Sequence, residues 1–173
     1  MKRNLFFGML CLMTLSLFVW TSCTKDEEEK KEENKTNEQI VTEGFVDLGL
    51  TSGTKWKATN EGDGYYTYDE ASKKFGKKVP SKTQLEELMN ECKWTWVEGK
   101  GFKITGKNNK AIMLPANGFR GDDGTVYNVG VEGFYWSSTP LGPDRGYRMG
   151  FNKKEPNIHY MERWGGGSVR LIE

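Results

Sequence analysis

Residues 44–173 predict an α+β domain, with two short helices ahead of a run of mostly antiparallel strands. Three observations carry this. Apolar residues keep helical spacing only as far as Cys92, and short β-prone runs bounded by turn residues fill the chain after it. The same 130 residues hold 20 glycines, about twice the usual share, beside 18 aromatics. That mixture suits tight loops around an aromatic core.

The first helix is YDEASKKF, Tyr68 to Phe75, stopped by Gly76. The second is better specified. Ser81-Lys82-Thr83-Gln84 reads as a capping box after Pro80, and Leu85, Leu88, Met89 and Cys92 follow on one face. Glu86, Glu87, Asn90 and Glu91 form the outer face. Strands are expected over 93–97, 101–105, 111–115, 134–138, 145–151, 158–161 and 168–172, with turns at 106–110 and 121–124. Trp56, Trp94, Trp96 and Trp136 lie in or beside these runs and are read as core. Arg170, inside the last of them, reads as a buried structural charge that needs a partner.

The near-zero net charge of +1 averages three unlike segments. Residues 1–22 carry +2, residues 24–43 carry −4 and residues 44–173 carry +3. The balance argues against a nucleic-acid partner, which asks for a clear cationic excess. Residues 1–22 read as a signal peptide: Lys2 and Arg3, then an apolar run from Leu5 to Val19, shorter than a comfortable membrane span. The alternative is an uncleaved N-terminal anchor helix. The run ends in Trp20-Thr21-Ser22-Cys23, which resembles a bacterial lipobox, although Trp20 stands where leucine is usual. The resemblance implies lipid attachment at Cys23 and membrane anchoring by acyl chains such as palmitate. Residues 23–43 then form a lipidated cysteine and an acidic tether, too poor in apolar residues to order themselves. Lys25-Asp26-Glu27-Glu28-Glu29 resembles the export signal of Bacteroidetes surface lipoproteins, which implies the outer membrane with the domain facing the exterior. Retention in the periplasm is the alternative. With Cys11 in the signal and Cys23 lipidated, Cys92 is the one thiol left in the domain, read as a small buried hydrophobe.

VDLGLTSGTKW (46–56), VPSKTQLEELMNECKWTW (79–96), MLPANGFR (113–120), GFYWSST (133–139) and GGSVRLI (166–172) occur in that order. Together they resemble the Fibrobacter succinogenes major paralogous domain family, over essentially all of residues 45–173. That family is similar to the C-type-lectin-like superfamily. The resemblance implies a C-type-lectin-like fold with two short helices, a small mostly antiparallel sheet and a loop-rich half. Two departures stand out. Lys57-Ala58-Thr59-Asn60 lacks the family's cysteine, and the segment from Asn60 to Tyr68 is short.

Parts for catalysis are scarce. His159 is the single histidine, and neither a phosphate loop nor a dinucleotide fingerprint is present. No enzyme activity, cofactor or resident metal is therefore expected. Glu155-Pro156-Asn157 has the oxygen donors of a calcium and sugar triplet, but no second oxygen-rich motif follows, so it reads as a turn. The stretch from Leu141 to Trp164 differs, for it interleaves aromatics with planar donors: Arg145, Tyr147, Arg148, Asn152, His159, Tyr160, Arg163 and Trp164. Seven of these, Arg145, Tyr147, Asn152, His159, Tyr160, Arg163 and Trp164, are taken as candidate ligand residues. The expectation is a surface protein that binds glycan or protein ligands. The alternatives are a structural subunit of a surface complex and an enzyme acting on extracellular polymers.

Overall fold

A computed structural model describes residues 38–62 and 64–173. The expected signal, Cys23 and residues 24–37 of the tether lie outside the described residues. The described part is an α+β fold with two short helices and several small sheets. No described helix is long and apolar enough to cross a membrane.

The described residues open with β1 (Gln39–Ile40), β2 (Phe45–Asp47) and β3 (Lys55–Lys57). β2 and β3 pair antiparallel and bring Val46 opposite Trp56, both buried. β1 runs parallel to a strand 71 residues further on, through the Gln39↔Lys110 and Ile40↔Ala111 pairs. Glu38 bridges Lys103 and Lys93. Two positive side chains and an open sheet edge supply the order that residues 38–41 lack by themselves.

Helix α1 (Tyr68–Phe75) occupies the span its sequence suggested. Thr67 caps it by accepting from the Glu70 amide, while Glu70 accepts from the Thr67 amide at 2.8 Å. Gly76 ends it with φ +54, a conformation that suits glycine. Helix α2 (Lys82–Glu91) carries the expected capping box between Ser81 and Gln84. Leu85 and Leu88 enter the core, and Cys92 closes the helix.

From there the chain is strands. β4 (Lys93–Val97), β5 (Gly101–Thr105) and β6 (Lys110–Pro115) form an antiparallel meander, extended by β1 on the far side of β6. β7 (Phe119–Arg120) and β8 (Val126–Tyr127) make a small ribbon around the 121–124 turn. β9 (Gly133–Leu141), β10 (Arg145–Phe151) and β11 (Pro156–Glu162) form a second antiparallel sheet. One face of this sheet sends Tyr135, Met149 and Phe151 into the main core. There Phe102 and Phe151 join Trp94, Trp96 and Tyr135 in a run of rings with centroids 5.2 to 6.3 Å apart. A smaller cluster packs Tyr68, Ala71 and Val79 against Trp136, Val169 and Leu171. Trp56 and Trp136 are fully buried; Trp94 and Trp96 are half-buried against the core.

The expected strand at 168–172 is a correction. The segment is buried and extended, but it changes partner midway: Ser168 pairs with Phe134 and Trp136, whereas Leu171–Glu173 lie along Lys55–Lys57. Ser168 bridges Tyr135, Leu171 accepts from the Lys57 amide, and Ile172 both bridges Trp56 and donates to the Lys78 carbonyl. It threads the centre of the domain instead of joining one sheet. Arg170 lies within it, 1% exposed, and its guanidinium meets Asn60 Oδ1 and the carbonyls of Lys57, Ala58 and Met113. Its partners are neutral oxygens, one of them the side-chain carbonyl of Asn60.

Candidate functional site

The β9–β10 hairpin, the end of β11 and the first turn of α1 converge around Arg163. Its guanidinium donates to Asp69 Oδ1 at 3.3 Å, to the Gly142 carbonyl at 3.2 Å and to the Arg145 carbonyl at 3.3 Å. It also lies 4.5 Å from the centre of the Tyr68 ring. The Arg163 amide donates to the Asp144 carbonyl, and the Tyr68 amide donates to the Arg163 carbonyl. Arg163 is thus a strut joining hairpin to helix, with its outer edge at the surface. A tight turn from Glu162 to Gly165 then swings Trp164 outward, 56% exposed.

The outcome is an open cleft of about 650 Å³ lined by Thr67, Asp69, Pro143, Asp144, Glu162, Arg163 and Trp164. It combines a free indole face, three carboxylates and a guanidinium. Glu162 is shared with Arg145, whose Nε donates to it at 2.9 Å. That pair raises the Arg145 pKa, and the same guanidinium stacks 4.9 Å from the Tyr160 ring centre. Four of the seven sequence candidates, Arg145, Tyr160, Arg163 and Trp164, therefore gather at this end of the sheet.

The other three do not join them at the cleft. Tyr147 lies directly across from Tyr160 on the same face but is engaged by α2, with Lys82 Nζ 5.0 Å from its ring centre. Asn152 sits at the opposite end of β10, where its Oδ1 accepts from the Lys154 amide. It lines a separate shallow groove of about 400 Å³ with Trp96, Glu98 and Val131. His159 is exposed and faces the other side of the sheet, paired across strands with Arg148. Six residue steps separate the Arg145↔Glu162 pair from the Phe151↔Pro156 pair, roughly 20 Å at 3.4 Å per residue. One continuous stretch of sequence thus spreads over two faces and two ends.

Sequence reasoning missed Thr67, Asp69 and Asp144. Thr67 and Asp69 had a signal only as capping and first-turn residues of α1. Asp144 looked like an ordinary turn residue. On the other flank of α1, Tyr65, Tyr66, Glu70, Lys73, Lys74 and Arg120 line a second cleft of about 540 Å³. Lys74 Nζ sits 5.0 Å from the Tyr66 ring centre there, and Arg120 stands 4.0 Å from Glu70. Two of its three cations, Lys74 and Arg120, are already engaged.

Among the described residues, no group of three or more His, Cys, Asp or Glu side chains is disposed to hold a metal. Glu155 is exposed and Asn157 points from the edge strand, so the 155–157 triplet gathers no further oxygens of that kind. Cys92 is the one described cysteine, and burial pushes its thiol up to about 11, away from a nucleophile's range. Comparison with known proteins finds no family model, no curated protein and no solved structure that matches this chain.

Proposed function

We propose that this chain is a lipid-anchored, cell-surface binding protein with a C-type-lectin-like domain, and that it recognises glycan through the cleft beside Trp164. The exposed Trp164 ring, set among Asp69, Asp144, Glu162 and Arg163, carries this reading. A pyranose ring offers one apolar C–H face and a rim of hydroxyls. The indole suits the face, and fixed carboxylates and a guanidinium suit the rim. The Asp69–Arg163 contact holds two of these groups in place before ligand arrives, which lowers the entropic cost of binding. The anchor rests on the lipobox-like 20–23 segment, and exterior orientation rests on the acid-rich run after Cys23.

A glycan array probed with the detergent-solubilised chain tests the binding. Trp164→Ala should weaken the best neutral glycan at least tenfold, about 1.4 kcal/mol, while a chelator leaves it unchanged. Binding indifferent to Trp164→Ala sinks the cleft assignment. Incorporation of labelled palmitate, lost in Cys23→Ala, tests the anchor, and protease digestion of intact cells tests the exterior face.

One observation favours an assembly role as the second reading. Val129 and Val131 are 62% and 59% exposed beside Val126 and Tyr127. Co-purification of one fixed partner, with no signal on any glycan, would put assembly first.

A further inference from the structure

The face of the second sheet opposite Tyr135, Met149 and Ile158 carries a cation without an anion. Strand register sets Trp136, Arg148 and His159 in one row and Phe134, Gly150 and Asn157 in the next. The Arg148 guanidinium lies 4.1 Å from the centre of the Phe134 ring. Its Nη1 is 1.9 Å from where a Cβ on Gly150 would stand, and Asn157 Oδ1 is 3.5 Å from that same point. The absence of a side chain at Gly150 is what lets the guanidinium lie flat along the strand between Phe134 and Asn157.

Every other described arginine has an oxygen partner: Arg120 has Glu70, Arg145 has Glu162, Arg163 has Asp69, and Arg170 has three carbonyls and Asn60. Arg148 has none among the described residues, and its Nε is buried and unpartnered. Glu132 acts on it only through space, and the Glu132 carboxylate instead accepts from Asn128 Nδ2 at 2.7 Å. Burial pushes the Arg148 guanidinium down to about 10, so it stays protonated at neutral pH. A half-buried, unpaired cation is costly to maintain and strongly disposed to meet an anion.

We propose that Arg148, seated on Phe134 and flanked by Asn157 and His159, is the carboxylate-binding centre of a site for an acidic glycan, one bearing uronic acid residues. A guanidinium presents paired N–H donors that match the two oxygens of a carboxylate. Asn157 and His159 supply hydroxyl partners on the neighbouring strand. An aromatic run continues from Phe134 to Phe119, tilted at 50° with 5.0 Å between centres, and on to Tyr127, stacked 5.4 Å from Phe119. Asp123 holds the Tyr127 hydroxyl at 2.9 Å, leaving the ring 42% exposed as a platform for the next sugar. This reading stands on Arg148 alone and does not rest on the Trp164 cleft.

The test uses the full chain in detergent micelles, with tetragalacturonate and its methyl ester as probes. Calorimetry gives affinity, and the Arg148 Nε–Hε NMR resonance reports the site. Tetragalacturonate should bind and move that resonance, whereas the ester should do neither. Arg148→Met should weaken binding at least tenfold, and Arg148→Lys, which keeps charge but loses the fork, severalfold. Should Arg148→Met fail to fold, Asn157→Ala on the exposed edge should still weaken binding severalfold. Equal binding of acid and ester overturns the proposal, as does a resonance unmoved by saturating tetragalacturonate. Tighter binding of tetraglutamate than of tetragalacturonate overturns the glycan assignment. A neutral-glycan array that fails leaves this test intact, because the Arg148 resonance reports only its own site.

Discussion

Cys92, half-buried, and Tyr135, fully buried, are the two acids whose protons the fold guards most closely. Burial pushes the Cys92 thiol from 9.0 up to about 11 and the Tyr135 phenol from 10.0 up to about 12. Tyr135 is held from both sides, its hydroxyl donating to the Pro115 carbonyl at 2.7 Å and accepting from Asn60 Nδ2 at 3.2 Å. Both folded values lie above the unfolded ones, so the folded state binds these protons more tightly. Their contribution is fully present below about pH 9 and is lost as pH rises toward 11 and 12. Urea midpoints measured from pH 7 to 11 should therefore fall above pH 9, and Cys92→Ala should flatten the start of the decline. A midpoint constant across that range contradicts the burial of both groups. The same burial makes Cys92 a slow thiol, as its sequence context had suggested. The sequence carried no comparable sign for Arg148, because the feature that matters is the absence of a partner, which depends on where Glu132 turns.

Elements with local signals formed where those signals lay. Both helices have reciprocal caps, and Ser81→Ala should cost about 1 kcal/mol in a urea titration, with Ser81→Asp close to neutral. A loss well below that would mean that contacts of the first turn, such as the Lys82 amide with Thr139 Oγ1 at 3.0 Å, hold the helix start without the cap. The hairpins β4–β5 and β5–β6 were legible because alternation and turn residues lie within a few positions of each other. β1 was not, since Gln39-Ile40 sits in a charged tract and its partner is Lys110-Ala111. Residues 168–172 misled in the opposite sense. Their apolar, β-branched composition is that of a strand, but a full strand needs one neighbour to run alongside throughout, and here the partner changes from Phe134–Trp136 at Ser168 to Lys55–Lys57 at Leu171–Glu173. The candidate site divided for a related reason. The alternation that makes β10 and β11 legible as strands also sends Tyr147 and His159 to opposite faces.

At the scale of the whole molecule, Arg170 is the point where distant parts meet, tying residues 57, 58 and 60 to Met113. Arg170→Met should destabilise the domain by about 3 kcal/mol or more, because several buried acceptors lose their donors together. Arg170→Lys should recover little, since a single ammonium cannot span the fork's partners. Stability near wild type in Arg170→Met would show that water can replace the guanidinium. The domain's mild positive charge could be counted from composition, but its clefts and core could not be placed from it; their placement depends on long-range pairs such as Asp69 with Arg163. The central position of residues 168–172 also sets an order of events during synthesis. Trp56, Tyr135 and Trp136 are made long before the segment that covers them, so a nascent chain stopped at Gly167 displays an unfinished aromatic interior. Closure of that interior then waits for residues 168–172, so the domain completes its core late in synthesis without any device devoted to that purpose.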